Sequence, residues 1–195
     1  MEIWIATSNS GKLSEYKNLF KPHGIEVKSP LDLNVFTFPP ENGDTFEANA
    51  RIKAKSLKAV KNDVWVVGED SGLEVEGLGG LPGIHSARYA GEKAQSSENV
   101  AKLLKMVQIR TPGKRDARFY CSLVVFDPEG NEHIFDGELK GKISMKQQGT
   151  SGFGYDPVFI PEGFEQTLAE LQPGEKNKIS HRSMAFKKLL DKMKG

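Results

Sequence analysis

The sequence predicts an α/β fold with a mixed sheet, on three observations. Short β-rich runs alternate with amphipathic helical segments in the first half of the chain, a hairpin signal follows, and glycine-rich loops sit where the runs end. At 195 residues the length suits one domain, since domains average about 150 residues. A single domain over residues 1–195 is therefore expected.

Taken in order, residues 2–6 alternate into a strand, and Thr7 to Lys12 lead into a helix with Leu13, Tyr16 and Phe20 on one face, stopped by Pro22 and Gly24. A second helix starts at Asp44 or Thr45, where Asp44 and Glu47 have capping-box spacing. Its inward stripe is Phe46, Ala50, Lys53 or Ala54, Leu57 and Val60. The run Val64 to Val67 is short and wholly apolar, as a central strand should be. A glycine-rich stretch from Gly72 to Gly91 follows, then a helix over about Ser97 to Val107 with Val100, Leu103, Leu104 and Val107 at helical spacing. Two antiparallel strands, Ala117 to Phe126 and His133 to Asp136, flank a D-P-E-G-N turn. A short strand near Leu139 to Ile143 precedes the loop Gly149 to Gly154, and a last helix runs from about Ser183 to Lys194.

Composition narrows the function classes. Apolar residues at 37% and charged residues at 27% exclude a disordered chain. Apolar runs such as Val64 to Val67 fall far short of the roughly 18 residues that a spanning helix needs, so no membrane partner is expected. A net charge of +1 gives no global attraction to a nucleic-acid polymer. The lysine runs Lys53 to Lys61 and Lys187 to Lys194 read as solvated helix faces. No basic-then-apolar segment opens the chain and Cys121 is the lone cysteine, so a cytoplasmic location is expected.

Three loops hold residues suited to chemistry. Thr7, Ser8, Asn9, Ser10, Gly11 and Lys12 combine hydroxyls, an ammonium and the free N–H groups of a helix start, which makes an anion cradle. It is not a Walker A loop, because Ala6 and Leu13 stand where that motif needs Gly and Ser or Thr. Plain helix capping explains the same residues. Gly68 to Gly72 places Glu69 and Asp70 after the apolar strand. Neighbouring side chains of an extended chain point to opposite faces, so one of the two enters a site. That carboxylate with Glu41 suits Mg²⁺, which takes one or two protein carboxylates alongside water and phosphate. An exposed acidic turn is the bland alternative. The third loop, Ser151 to Pro157, sets Phe153 between glycines, leaving its face open to a flat ligand or else placing it in the core. Lys176, Ser180, His181 and Arg182 add donors near the last helix. His23, His85, His133 and His181 are too scattered for zinc, and no G-x-S-x-G elbow supports a serine nucleophile.

These loops are also motifs. T-S-N-S-G-K from residue 7, E-N-G-D-T-F-x-x-N-A at 41–50, G-E-D-S-G-L at 68–73 and L-P-G-I-H-S-A-R-Y-A-G at 81–91 come in that order, followed by G-F-G-Y-D-P at 152–157 and S-H-R at 180–182. In this the sequence closely resembles the inosine triphosphate pyrophosphatase family, also called dITP/XTP pyrophosphatases, along essentially its whole length. The resemblance implies an elongated mixed sheet flanked by helices, two lobes around a central nucleotide cleft, and a homodimer. It implies hydrolysis of non-standard purine nucleoside triphosphates (ITP, dITP, XTP) to the monophosphate and pyrophosphate. Thr7 to Lys12 and Ser71 would bind substrate, with Lys53 near the phosphates. Glu41 and Asp70 would hold Mg²⁺, and Asp70 would accept the proton of the attacking water. Phe153, Gly154, Tyr155, Asp156, Lys176, His181 and Arg182 would form the base pocket. Glu69 departs from the Asp that many bacterial members carry, which opens the question of its role. A nucleotide sensor or a phosphatase acting on the terminal phosphate would use similar residues; the product released from ITP separates all three.

Overall fold

A computed structural model describes residues 1–195. The strands are β1 (Glu2–Ala6), β2 (Glu26–Lys28), β3 (Trp65–Val75), β4 (Asp116–Phe126), β5 (Glu132–Ile143) and β6 (Phe159–Pro161). The helices are α1 (Ser10–Phe20), α2 (Phe46–Lys58), α3 (Ser96–Arg110), α4 (Pro173–Ile179) and α5 (His181–Lys194). The strands form one six-stranded sheet in the order β2-β1-β3-β4-β5-β6. β1 is parallel to β2 and to β3, whereas β5 and β6 are antiparallel, so the sheet is mixed as the sequence predicts. No helix is long and apolar enough to cross a membrane.

Several elements depart from the sequence expectation, each for a physical reason. β3 does not stop at Val67 but runs on to Val75, so Glu69, Asp70 and Ser71 lie within a strand and not in a loop. Gly68 permits this: a Cβ there would sit 2.0 Å from the Ala50 carbonyl oxygen, so only glycine lets α2 lie against the strand. The expected strand at Leu139 to Ile143 is the second half of one long β5. Thr45, not Asp44, caps α2 by accepting a hydrogen bond from the Ala48 N–H, while Glu47 pairs with Arg51. α2 ends at Lys58, leaving Val60 exposed. α5 begins at His181 rather than Ser183, which places His181 and Arg182 in its first turn. The helix α4 and the three-residue strands β2 and β6 are additional to those expected.

The chain groups into two compact units. The first comprises residues 1–70, 121–137 and 183–195. Its strand residues alternate, as half-buried and fully buried strands must. Ile3 and Ile5 of β1 with Leu123 and Val125 of β4 pack against Tyr16 and Phe20 of α1 and Phe186 and Leu189 of α5. On the other face, Trp4 and Ala6 pack with Leu57, and Val124 packs with Ala50 and Ala54 of α2.

The second unit comprises residues 71–120 and 138–182. Leu73, Val75, Phe119, Leu139, Ile143 and Phe159 form its core against Val100, Leu103 and Val107 of α3. The intervening strand residues face the other way and are charged. Arg118 bridges Glu74 and Glu138 at 2.6 and 2.8 Å there.

Candidate active site

In the first unit, five charged side chains converge around the middle of β3. The register aligns Ala6 with Gly68, so β1 ends and the Thr7 to Lys12 loop begins beside Glu69. Asn9 caps α1, its Oδ1 accepting from the Lys12 N–H at 3.0 Å, and Thr7 Oγ1 accepts from the Asn9 N–H. The capping reading of this loop is therefore correct for Asn9. Capping leaves the exposed Ser8 and Ser10 hydroxyls available, together with the first-turn N–H groups of Ser10 and Gly11, which no helix can satisfy internally. Lys12 extends its ammonium to 3.3 Å from Glu69 Oε1.

Asp70 faces α2. Its Oδ1 lies 3.0 Å from Lys53 Nζ, and Lys53 Nζ also lies 3.3 Å from Glu41 Oε1. Strand alternation thus parts the two adjacent carboxylates as expected: Glu69 meets Lys12 and the buried Cys121 thiol, Asp70 meets Lys53. Both are buried, against the reading of an exposed acidic turn. Burial raises the Asp70 pKa and Glu41 adds to the rise, against the pull of Lys53 and Lys12. Burial lowers that of Lys53, but Asp70 and Glu41 outweigh it and keep the ammonium charged.

Asn49 was not singled out by sequence reasoning. Fully buried on α2, it accepts from the Gly43 N–H at 2.8 Å and donates to Asp70 Oδ2 at 3.4 Å. It therefore ties the loop that carries Glu41 to the strand that carries Asp70. The signal is present in N-A of the 41–50 motif: a polar residue on the helix face shared with Phe46, Ala50, Ala54 and Leu57. Glu41 and Asp70 supply two hard oxygen donors facing one cation, Lys53. As hard oxygen donors, the two carboxylates would suit Mg²⁺, which takes one or two protein carboxylates.

The second unit holds a different cluster. Asp156 Oδ2 accepts from Lys176 Nζ at 2.5 Å and from the Phe153 N–H at 2.9 Å. Gly152 has φ +77°, and a Cβ there would fall 2.0 Å from that same carboxylate oxygen. Phe153 is half-buried and outside the core cluster, so its ring is not ordinary core. Lys176 Nζ and the Arg182 guanidinium lie 4.9 and 5.5 Å from its centroid. Arg182 also donates to Ser71 Oγ at 2.9 Å. Tyr155, by contrast, is a core residue, its hydroxyl donating to the Ser86 carbonyl at 2.8 Å. Burial raises its pKa and keeps it a neutral donor. Asp70 of the first cluster and Ser71 of the second are consecutive residues of β3.

The sequence model of the Ham1 family matches residues 3–192 of this chain. The chain belongs to the Ham1 family. Among its relatives, a dITP/XTP pyrophosphatase of Bdellovibrio bacteriovorus is 60% identical over 194 residues, covering 99% of this chain and 98% of the relative. Another, of Bacillus subtilis, is 43% identical and covers 96% of this chain and 94% of the relative. The solved Ham1 protein of Coxiella burnetii superposes with a TM-score of 0.87 at 35% identity, covering 100% of this chain and 98% of that one. That of Staphylococcus aureus gives 0.85 at 37%, covering 100% and 99%. These members share the α/β architecture described above.

Proposed function

We propose that this Ham1 family member is a nucleoside triphosphate pyrophosphatase that hydrolyses dITP, XTP and ITP to the monophosphate and pyrophosphate. The observation that carries the reading is the convergence of Asp70, Glu41, Lys53 and Lys12 in one unit. A buried carboxylate whose pKa burial raises, held between two ammonium groups, is suited to take a proton from water while the lysines neutralise a polyphosphate. The substrate class follows the names of the curated relatives.

In this reading the Ser10 and Gly11 N–H groups, the Ser8 and Ser10 hydroxyls and Lys12 receive the phosphates, and Lys53 holds Asp70 oriented. Asp70 accepts the proton of the water that attacks the α-phosphate. Mg²⁺ held by Glu41 and Asp70 would shield the phosphate charge and stabilise the pyrophosphate leaving group. The Phe153 ring stacks on the base. Lys176, His181 and Arg182 present donors to the oxygen at purine position 6, where adenine carries an amino group. Asp156 holds the Lys176 ammonium and the Phe153 backbone in place. A cytoplasmic homodimer completes the proposal, on the strength of the family resemblance.

Incubation of ITP with the protein and Mg²⁺, followed by ³¹P NMR, tests the reading. Stoichiometric IMP and pyrophosphate are expected. Inorganic phosphate with IDP would make it a terminal phosphatase, and tight ITP binding without turnover would make it a sensor.

A further inference from the structure

His181 opens α5 and is 3% exposed. Its imidazole lies face to face with the Phe119 ring, centroids 4.8 Å apart and planes only 9° from parallel. Phe119 is a β4 core residue, 7% exposed, and its other neighbour is Phe159 of β6, at 4.7 Å and 54°. Aromatic pairs usually settle edge-to-face or offset at about 4.5–7 Å, so a nearly parallel contact at the short end of that range fixes the imidazole plane closely. Two strands therefore set the orientation of a side chain that begins a helix. Nothing in the sequence motifs points to Phe119, since it lies in an ordinary alternating strand outside all six of them.

We propose that Phe119 is a positioning residue for base discrimination: its ring is the flat wall that holds the His181 imidazole in the plane from which it addresses the purine. The inference rests on the reading that His181 belongs to the base pocket. A hydrogen bond to a base edge depends on the plane of the donor ring, because both nitrogens donate or accept within that plane. The neighbouring base-reading groups are held otherwise: Arg182 by Ser71 and the Phe153 face, Lys176 by Asp156. Among these readers it is the His181 ring on which Phe119 stacks. Replacing the ring with a branched aliphatic side chain keeps an apolar contact but lets the imidazole tilt. A misplacement near 1 Å can cost as much as about 10² in rate, and hydrogen-bonded readers discriminate far better than shape does.

The test compares Phe119→Leu with Phe119→Tyr, each also in a His181→Ala background, by kcat/KM for ITP and for ATP. Phe119→Leu is expected to reduce the ITP-to-ATP ratio by about 10-fold, while pyrophosphate, used as a base-free competitor, inhibits as before. Phe119→Tyr retains the flat ring and should keep the ratio within about twofold of the original protein. In the His181→Ala background, Phe119→Leu should change the ratio no further. A Phe119→Leu protein that loses thermal stability but keeps its ratio overturns the inference, making Phe119 core and nothing more. So does a reduction of equal size with and without His181. Should the original protein fail to release pyrophosphate from ITP, the functional reading falls first, on an outcome separate from these. Circular dichroism of the Leu variant guards against misfolding, and the Tyr variant carries the test if Leu does not fold: a changed ratio there also overturns the inference.

Discussion

Lys53 Nζ stands 3.0 Å from Asp70 Oδ1, and both side chains are buried. Such a pair on the protein surface would be worth little. Beneath α2 it is different, because losing Lys53 leaves the buried Asp70 carboxylate without its nearest counter-ion. Glu41 reaches the same ammonium from its own loop, so the lysine is the hub on which two acidic segments meet. In the proposed mechanism, catalysis depends on this hub.

Asp70→Asn keeps the shape of the side chain and removes its capacity to take a proton. Expected is a loss of about 10² to 10⁴ in kcat, the usual worth of general-base catalysis, with an unchanged circular dichroism spectrum. Turnover close to that of the original protein would remove Asp70 from the mechanism.

The role of Lys12 can be separated from folding by ligand choice. Lys12→Ala should weaken ITP strongly and inosine hardly at all, measured by calorimetric titration. Raised salt should reproduce part of the loss, since exposed charges are screened beyond about 10 Å at 0.1 M. Equal weakening of both ligands would show that the loop, anchored by the Asn9 cap, had been disturbed instead.

Gly68 offers a test of how α2 is seated. A methyl group there meets the Ala50 carbonyl and the Ala54 backbone at 2.0 and 2.6 Å, atoms that cannot move aside without shifting the helix. Gly68→Ala should cost about 1–3 kcal/mol in denaturant unfolding, as overpacking does. It should also lower activity, because Lys53 and Asn49 travel with α2. Unchanged stability would mean that the helix sits further from the strand.

How much of this was legible in the sequence depended on length and period. α1, α2, α3 and α5 all declare themselves through apolar residues at helical spacing. β2 and β6, at three residues each, are too short to show any period. α4 carries only a short start signal: Pro173 follows Gln172, whose side chain and that of Glu175 form a reciprocal cap. The long strands hid behind their glycines. Gly-Glu-Asp-Ser-Gly reads as a turn by local propensity, yet pairing within the sheet and the close approach of α2 override it. Gly141 lies within the expected Leu139 to Ile143 strand, and the approach of the Ile160 carbonyl makes glycine necessary there. The charged candidates were all readable, but their grouping was not. Spacing alone did not reveal that Lys12 meets Glu69, that Asn49 joins two acidic segments, or that Tyr155 spends its hydroxyl on Ser86.

Stability should respond to acid through the turn between β4 and β5. Burial works against the Asp127 carboxylate, yet hydrogen bonds from His133 and from the Asn131 side chain and backbone hold its pKa well below 3.8. The unfolded chain binds the proton more readily, so this stabilisation is complete above the ordinary carboxylate value. It is lost as pH falls from there through the depressed folded value. Asp127→Asn should therefore lower Tm at neutral pH and make Tm less dependent on pH below about 4. An unchanged acid limb in differential scanning calorimetry would show that the contact contributes nothing.

In the proposed mechanism Asp70 directs water to the α-phosphate and not to the γ-phosphate. Hydrolysis of ITP in H₂¹⁸O, with mass analysis of both products, tests this directly. A single ¹⁸O in IMP and none in pyrophosphate is expected. Label in pyrophosphate, or in free phosphate released beside IDP, would contradict it.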